Sequence, residues 1–387
     1  MSKPLQKLQQ FIKAEAVLCI SAAAALITML FLPPSSEYIS YLDFRVLALL
    51  FCLMAVVAGL KETGIFLLLS DKLLKKVVGV RSLCFVLILL CFFTSMWITN
   101  DVALITFVPF AIMVLSIAGQ SKYMIRVVVL QTIAANLGSM LTPVGNPQNL
   151  YLYSFFHISI QEFLQITFPY TAVSLLLLLI CILMIKKEPL SLEIPDKVKL
   201  NRRKSRLITM YGILFFVCLA CVLRLIDYRI IIVIILAAIL MFDRKVLKNV
   251  DYYLLLTFVC FFIFVGNISN IPAVKDTLAQ LLDGKTLPVS IAASQVISNV
   301  PSAVLLSAFT GDYKALILGT DIGGLGTLVA SLASLISFKL YCKSENARPG
   351  RYLKVFTIYN LLFLIGLCLF YKFKHYVIWL FLFLLIV

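Results

Sequence analysis

Charge is scarce in this chain: Asp, Glu, Lys and Arg make up 13% of its 387 residues. That is too little to cover two or three soluble domains, which the length would otherwise allow. Histidine is scarcer still, and both copies, His157 and His375, lie outside the polar motifs described below. Neither H-E-x-x-H nor G-x-S-x-G occurs, so a membrane-embedded hydrolase would lack its zinc ligands or its nucleophile turn. The ten cysteines include one C-x-x-C, Cys218 and Cys221, with no second pair. On an apolar helix such a pair reads as core or lipid-facing side chains rather than as metal or redox chemistry.

What abounds is apolar: 62% of residues are hydrophobic, and the mean hydropathy is +1.04. A spanning helix needs roughly 20 mostly apolar residues, and thirteen apolar stretches, several of them short, supply about ten such segments. They cover residues 16–32, 44–60, 83–96, 102–118, 127–136 and onward past a polar break, and 164–185; then 207–223, 230–242, 252–265, 289–308, 315–338, 355–369 and 376–387. Several are too short to cross alone, which predicts hairpins and broken helices. The expected fold is an all-α polytopic membrane protein of about 10–11 membrane segments. Lys3, Lys7 and Lys13 precede "SAAAALITML", and with no polar domain behind it this stretch reads as a first spanning helix rather than a signal peptide.

Basic residues outnumber acidic ones, 34 to 18. Most of them gather in alternate loops, at residues 3–13, 61–81, 122–126, 186–206, 244–248 and 339–354. That is the positive-inside pattern of a multi-span protein with a cytoplasmic N-terminus, in a bacterial-type plasma membrane. The positive balance therefore reports topology and not nucleic-acid binding.

The polar stretch 186–206 divides the chain. It reads as a cytoplasmic linker between a first unit, 1–185, and a second, 207–387. Each unit runs through the same order of features: a helix opening on Asp43 or Asp251, a polar hairpin tip at "ITND" or "SNVP", then a glycine-rich break. The hairpins are placed around 83–118 and 289–309, and the broken helices around 127–153 and 315–338. By the charge pattern Asp43 falls at an outer helix end and Asp251 at an inner one, so the units are expected to be inverted. Inverted units with broken helices and a midplane site are the construction of secondary transporters. A passive channel has no need of them.

The four polar breaks carry the candidate site. Thr99, Asn100 and Asp101 form the first tip, and Ser298, Asn299 and Pro301 the second. An ionisable residue at membrane depth is a functional candidate by default, although Asp is also a good N-cap. Asn136, Gly138, Thr142, Pro143, Gly145 and Asn146 lie in "NLGSMLTPVGNPQNLYLY", and Asp321, Gly323 and Thr327 in "DIGGLGTLVASLAS". Irregular backbone at this depth is tolerated only where it is buried in protein or lines a cavity. Glycines there also serve close helix packing.

"TNDVALITFVP", "NLGSMLTPVGNPQNLYL", "SQVISNVPSAVLL" and "DIGGLGTLVASLAS" together resemble the citrate-type and arsenite-permease-type members of the ion transporter superfamily. That superfamily also holds divalent-anion/sodium symporters and a sodium/proton antiporter group. The resemblance implies re-entrant hairpins of opposite entry, an elevator-type alternating-access motion and a homodimer in the bilayer. It further implies a small-molecule or inorganic ion substrate, no cofactor, and a proton or sodium as coupling ion, with sodium placed near Asn100, Gly138, Asn299 and Gly323. The symporter branch carries Ser-Asn-Thr at both tips. Here Asp101 and Val300 replace the third residue, which brings the first tip closer to the arsenite-permease pattern. The leading expectation is a secondary active transporter of a small anion, carboxylate or oxyanion, with a sodium/proton antiporter or an arsenite/antimonite efflux permease as alternatives.

Overall fold

The computed structural model describes residue 11 and residues 15–74, 77–190, 201–345 and 347–386. Lys3, Lys7 and Lys13, residues 191–200 of the linker, and Val387 lie outside the described residues. Among those described, the named elements are helices, and the one extended pairing is an isolated bridge between Gly79 and Pro189.

A short α1 (Ala16–Met29) and a single turn, α2 (Tyr38–Tyr41), lead to α3 (Phe44–Thr63). The Asp43 side chain caps α3 by accepting the Val46 N–H at 2.9 Å, and Gly64 ends it in the left-handed conformation at φ 80°. After α4 (Ile65–Leu74) comes the first hairpin, α5 (Val80–Ser95) and α6 (Asn100–Ile117). A broken helix follows, α7 (Met124–Ser139) and α8 (Pro147–Phe155), and then α9 (Ile160–Leu183). The second unit adds α10 (Arg202–Val222) and α11 (Tyr228–Phe242) and then runs through the same succession. Helix α12 (Tyr252–Ser269) is capped by Asp251, which accepts the Leu254 N–H at 3.0 Å. Next come α13 (Pro272–Leu282), a hairpin of α14 (Thr286–Ile297) and α15 (Asn299–Ser307), a broken helix of α16 (Tyr313–Gly323) and α17 (Leu332–Cys342), and α18 (Pro349–Ile386).

Six described helices are long and apolar enough to cross a bilayer: α3, α6, α9, α10, α12 and α18 up to Lys374. Five more apolar helices are shorter; the first hairpin pairs the short α5 with the span-length α6, whereas the second hairpin and both broken helices join short pieces. The chain is an integral, multi-pass membrane protein. The polar breaks hold the short pieces below spanning length while keeping each backbone group near a partner.

Three details depart from the sequence reading. Residues 355–369 and 376–386, read as parts of separate segments, belong to one helix, α18. Lys372, Lys374 and His375 interrupt the hydropathy there, but no proline follows Pro349 and the helix continues. The end of the linker, Arg202 to Arg206, is the first turn of α10, capped by the Asn201 side chain on the Lys204 N–H. Helices α4 and α13, each with Asp and Lys among leucines, follow α3 and α12 in equivalent places and went unread because they are too short and polar to register as spans.

The packing crosses between the units. Helix α5 lies on α7, and α14 on α16, within each unit. The second piece of each broken helix packs on the other unit: α17 on α6 and α7, and α8 on α15 and α16. Helices α1, α3, α10, α11 and α12 pack mainly on one another, with α3 against α10 and α11 and α12 against α1, and they touch the rest chiefly through α3 on α8 and α12 on α15.

Candidate functional site

Each hairpin tip is tied to the break of its own unit in the same way. The Asn100 N–H donates to the Gly145 carbonyl at 3.1 Å, and the Asn299 N–H to the Ala330 carbonyl at 3.0 Å. Gly145 and Ala330 each immediately precede the N-cap of the second helical piece, Asn146 for α8 and Ser331 for α17. Each Asn side chain then turns back on the next residue: Asn100 Oδ1 accepts the Asp101 N–H at 2.9 Å, and Asn299 Oδ1 the Val300 N–H at 3.0 Å. A threonine makes the second tie. The Thr142 hydroxyl donates to the Met96 carbonyl, and the Thr327 hydroxyl to the Gln295 carbonyl at 3.2 Å. The tips differ in length, since residues 96–99 separate α5 from α6 whereas Ser298 alone separates α14 from α15. Making so abrupt a turn puts Ser298 at φ 73° and ψ 157°, a region that is almost confined to glycine and costs another residue about 1–3 kcal/mol.

The breaks also reach across to each other. Asn136 and Asp321 occupy matching positions, at the constant offset that relates Thr142 to Thr327 and Gly145 to Ala330. Asn136 meets the start of α17: its Oδ1 accepts from the Ser331 hydroxyl at 3.1 Å, and its Nδ2 donates to Ser334 Oγ at 3.3 Å. The same Oδ1 accepts from Asn100 Nδ2 at 3.1 Å, joining the first tip to the second break. Asp321 meets the start of α8. Its Oδ1 accepts from Asn146 at 3.3 Å and Gln148 at 3.5 Å, and its Oδ2 accepts from Asn149 at 3.1 Å. Both residues are buried, and both contacts involve the N-cap and the third residue of the partner helix. A carboxylate stands in one unit where an amide stands in the other.

Asp101 is not the cap that its residue type allowed. Helix α6 begins one residue earlier, so Asp101 lies inside the first turn. Its carboxylate has no hydrogen-bond or ion-pair partner among the described residues. It lines two cavities of about 340 Å³ each, and Asp251 and Leu254 line both as well. One cavity runs past Thr99, Asn146 and Pro147 to Lys61 and Glu62. The other runs along Val300, Pro301, Leu328 and Leu332 to Glu15.

Four helical N-termini, those of α6, α8, α15 and α17, thus begin at the breaks, and such ends favour negative charge. Two already have a carboxylate beside them, Asp101 in the first turn of α6 and Asp321 at α8. The starts of α15 and α17 carry only neutral groups. Among the described residues, no group of three or more His, Cys, Asp or Glu is arranged to hold a metal ion.

Gly138 and Gly323 serve close approach. A Cβ on Gly138 would lie 2.1 Å from the Phe92 carbonyl oxygen, and one on Gly323 would lie 2.8 Å from the Ser294 side chain. Their carbonyls accept from the Leu141 N–H at 3.2 Å and from Gln295 Nε2 at 2.8 Å, which leaves one lone pair on each for a cation. Gly138→Ala is therefore expected to push α5 off α7 and cost about 2 kcal/mol, read as a lower unfolding midpoint in detergent.

Several site residues escaped the sequence reading. Gln148 and Asn149 lie in the quoted run with nothing to single them out, Ser331 and Ser334 carry no distinguishing pattern, and Asp251 reads from the sequence only as a helix end. Gln295 is the most consequential. Its Nε2 donates to the carbonyls of Gly323 and Leu325, and its Oε1 accepts the Thr327 N–H at 2.9 Å. Gln295→Leu is expected to cost about 2 kcal/mol by stranding these groups. The measurement is the unfolding midpoint of the variant beside that of wild type.

Sequence relatives agree with this architecture. The family described as Citrate transporter matches residues 11–314. The chain belongs to the citrate transporter family. It is 32% identical over 339 residues to an uncharacterized transporter of Methanocaldococcus jannaschii, covering 87% of this chain and 91% of that one. It is 30% identical over 303 residues to the inner membrane protein YbiR of Escherichia coli, covering 77% and 80%. A shorter match, 33% over 124 residues and 25% of the relative, is to the silicon efflux transporter LSI3 of Oryza sativa subsp. japonica. This citrate-transporter-family member is a membrane transporter for anions or small solutes, within the ion transporter superfamily, and not an enzyme.

Proposed function

We propose that the protein is a secondary active transporter that moves a small anion, a carboxylate or an oxyanion, by alternating access coupled to protons or sodium. The observation that carries this reading is the crossed pair of breaks: each hairpin tip is tied to its own break, and each break is tied to the other unit through Asn136 or Asp321. The four break motifs hold no Lys or Arg, so a substrate's negative charge would be met by helix N-termini and by a co-transported cation. The starts of α15 and α17, around Ser298, Asn299 and Ser331, are the favoured place for it, because among the described residues no carboxylate is hydrogen-bonded to them. Asp101 carries the coupling ion. The hairpins and broken helices would move past α1, α3 and α10–α12 as one body, an elevator-type motion.

One observation favours a second reading. Asp101 and Asp251 line the same two cavities, and a sodium/proton antiporter could work from such carboxylates without an anion site. Proteoliposomes separate the two. A thermal-shift screen of citrate, other dicarboxylates, arsenite, sodium and lithium selects the solute, and uptake is then followed under imposed pH or sodium gradients. Accumulation of the anion that collapses with a protonophore, or on removal of sodium, supports anion transport. Sodium flux with no anion requirement supports antiport, and purely downhill flux indifferent to both gradients would sink the secondary-transport reading.

A further inference from the structure

Away from the breaks, a cavity of about 820 Å³ lies between the turn joining α6 to α7 and the turn joining α17 to α18. Lys122, Arg126, Arg348 and Arg351 line it, with Tyr123, Tyr341 and Tyr359 between them and Glu345 as the one acid. Lys122 is already matched by Glu188 at 2.7 Å. The three guanidinium groups are not: among the described residues none has an ion-pair partner. Arg126 gives one N–H to the Cys181 carbonyl at 3.1 Å and lies over the Tyr359 ring, while its Nε is buried with no hydrogen-bond partner. Unmatched arginines beside a buried, unsatisfied N–H offer free donors and positive charge to an anion, and a phosphate group fits the planar donors of arginine.

The neighbouring surface says where the rest of the ligand would go. From Val355, in the cavity wall, the residues Ile358, Leu362, Ile365 and Leu369 follow on α18 at alternating spacings of three and four. They form a single stripe, and those four are exposed at 48%, 61%, 53% and 52%. An apolar stripe leaving a basic, tyrosine-lined cavity at a helix end suits acyl chains below a phosphate headgroup.

We infer that this cavity binds the phosphodiester headgroup of an anionic lipid, with its chains along α18. The test uses the full chain in neutral detergent and reads the unfolding midpoint as phosphatidylglycerol, phosphatidylcholine or free glycerol phosphate is titrated. The expected result is stabilisation by phosphatidylglycerol alone. In the Arg348→Gln/Arg351→Gln double variant, half-maximal stabilisation needs about 30-fold more lipid, the loss implied by removing two basic side chains from an anionic surface. A control pair on α10, Arg202→Gln/Arg203→Gln, keeps the wild-type response. The inference is overturned if phosphatidylcholine stabilises equally, if the double variant responds like wild type, or if the control pair loses the response as well. Equal stabilisation by free glycerol phosphate would overturn the lipid assignment in favour of a soluble phosphate ester.

Discussion

Replacing Asp101 by Asn is expected to reduce uptake against a gradient to the level of protein-free vesicles while leaving the fold intact. The carboxylate has no partner among the described residues, so an amide of the same shape strands nothing. Stability should change by no more than about 0.5 kcal/mol, the range of substitutions that break no named interaction. Function should not survive, because an amide can neither exchange a proton nor offer a charged oxygen to sodium. Asp101→Glu, which keeps the charge and lengthens the reach, should retain partial activity. Uptake at wild-type rate and steepness in the Asn variant would reduce Asp101 to a favourable charge at the start of α6.

The second large effect is structural. Asp321 accepts hydrogen bonds from three buried carboxamides, those of Asn146, Gln148 and Asn149. Asp321→Ala leaves Gln148 without its acceptor and strands one N–H each on Asn146 and Asn149, which keep Ser139 Oγ and the Met140 carbonyl, and each unsatisfied buried group costs about 1–3 kcal/mol. After relaxation a total of about 3–5 kcal/mol is expected. Asp321→Asn keeps an acceptor oxygen, and the neighbouring amides can turn to suit it, so its loss should be much smaller. Comparing the unfolding midpoints of the two variants checks this. Equal small losses would mean that the crossed contact to α8 does not hold the units together.

The contrast between these aspartates shows what could be read from the chain and what could not. Both were recognisable, because a carboxylate inside an apolar stretch stands out at once. Their division of labour was not, because it depends on where helices begin. One residue of helix start separates an Asp101 that caps α6 from an Asp101 that faces a cavity. The hairpins and breaks were legible from local chemistry: "ITND", "SNVP", paired prolines and clustered glycines cannot sit in an uninterrupted membrane helix. The correspondence of Asn136 with Asp321 rests on the offset of 185 that the two breaks share. Contacts between units left no such trace. Gln295 lies in an ordinary helical stretch, and Ser331 and Ser334 look like many membrane serines, so their roles come from the packing of α17 and α14 on elements distant in sequence. The same holds for Asp251, which becomes a lining residue only because α12 passes the first tip.

The central claim is that substrate lies at the starts of α15 and α17, beside Asn299 and within reach of Asn100, whose contact to Asn136 extends to Ser331. It is tested most directly by equilibrium binding of the solute selected in the screen to purified Asn100→Ala and Asn299→Ala, with Asn267→Ala as a buried control away from the breaks. The account predicts that each tip variant weakens binding at least about tenfold, the worth of one buried polar contact, with an unfolding midpoint that shows it folded, while the control binds as wild type does. Wild-type affinity in both folded tip variants would contradict it.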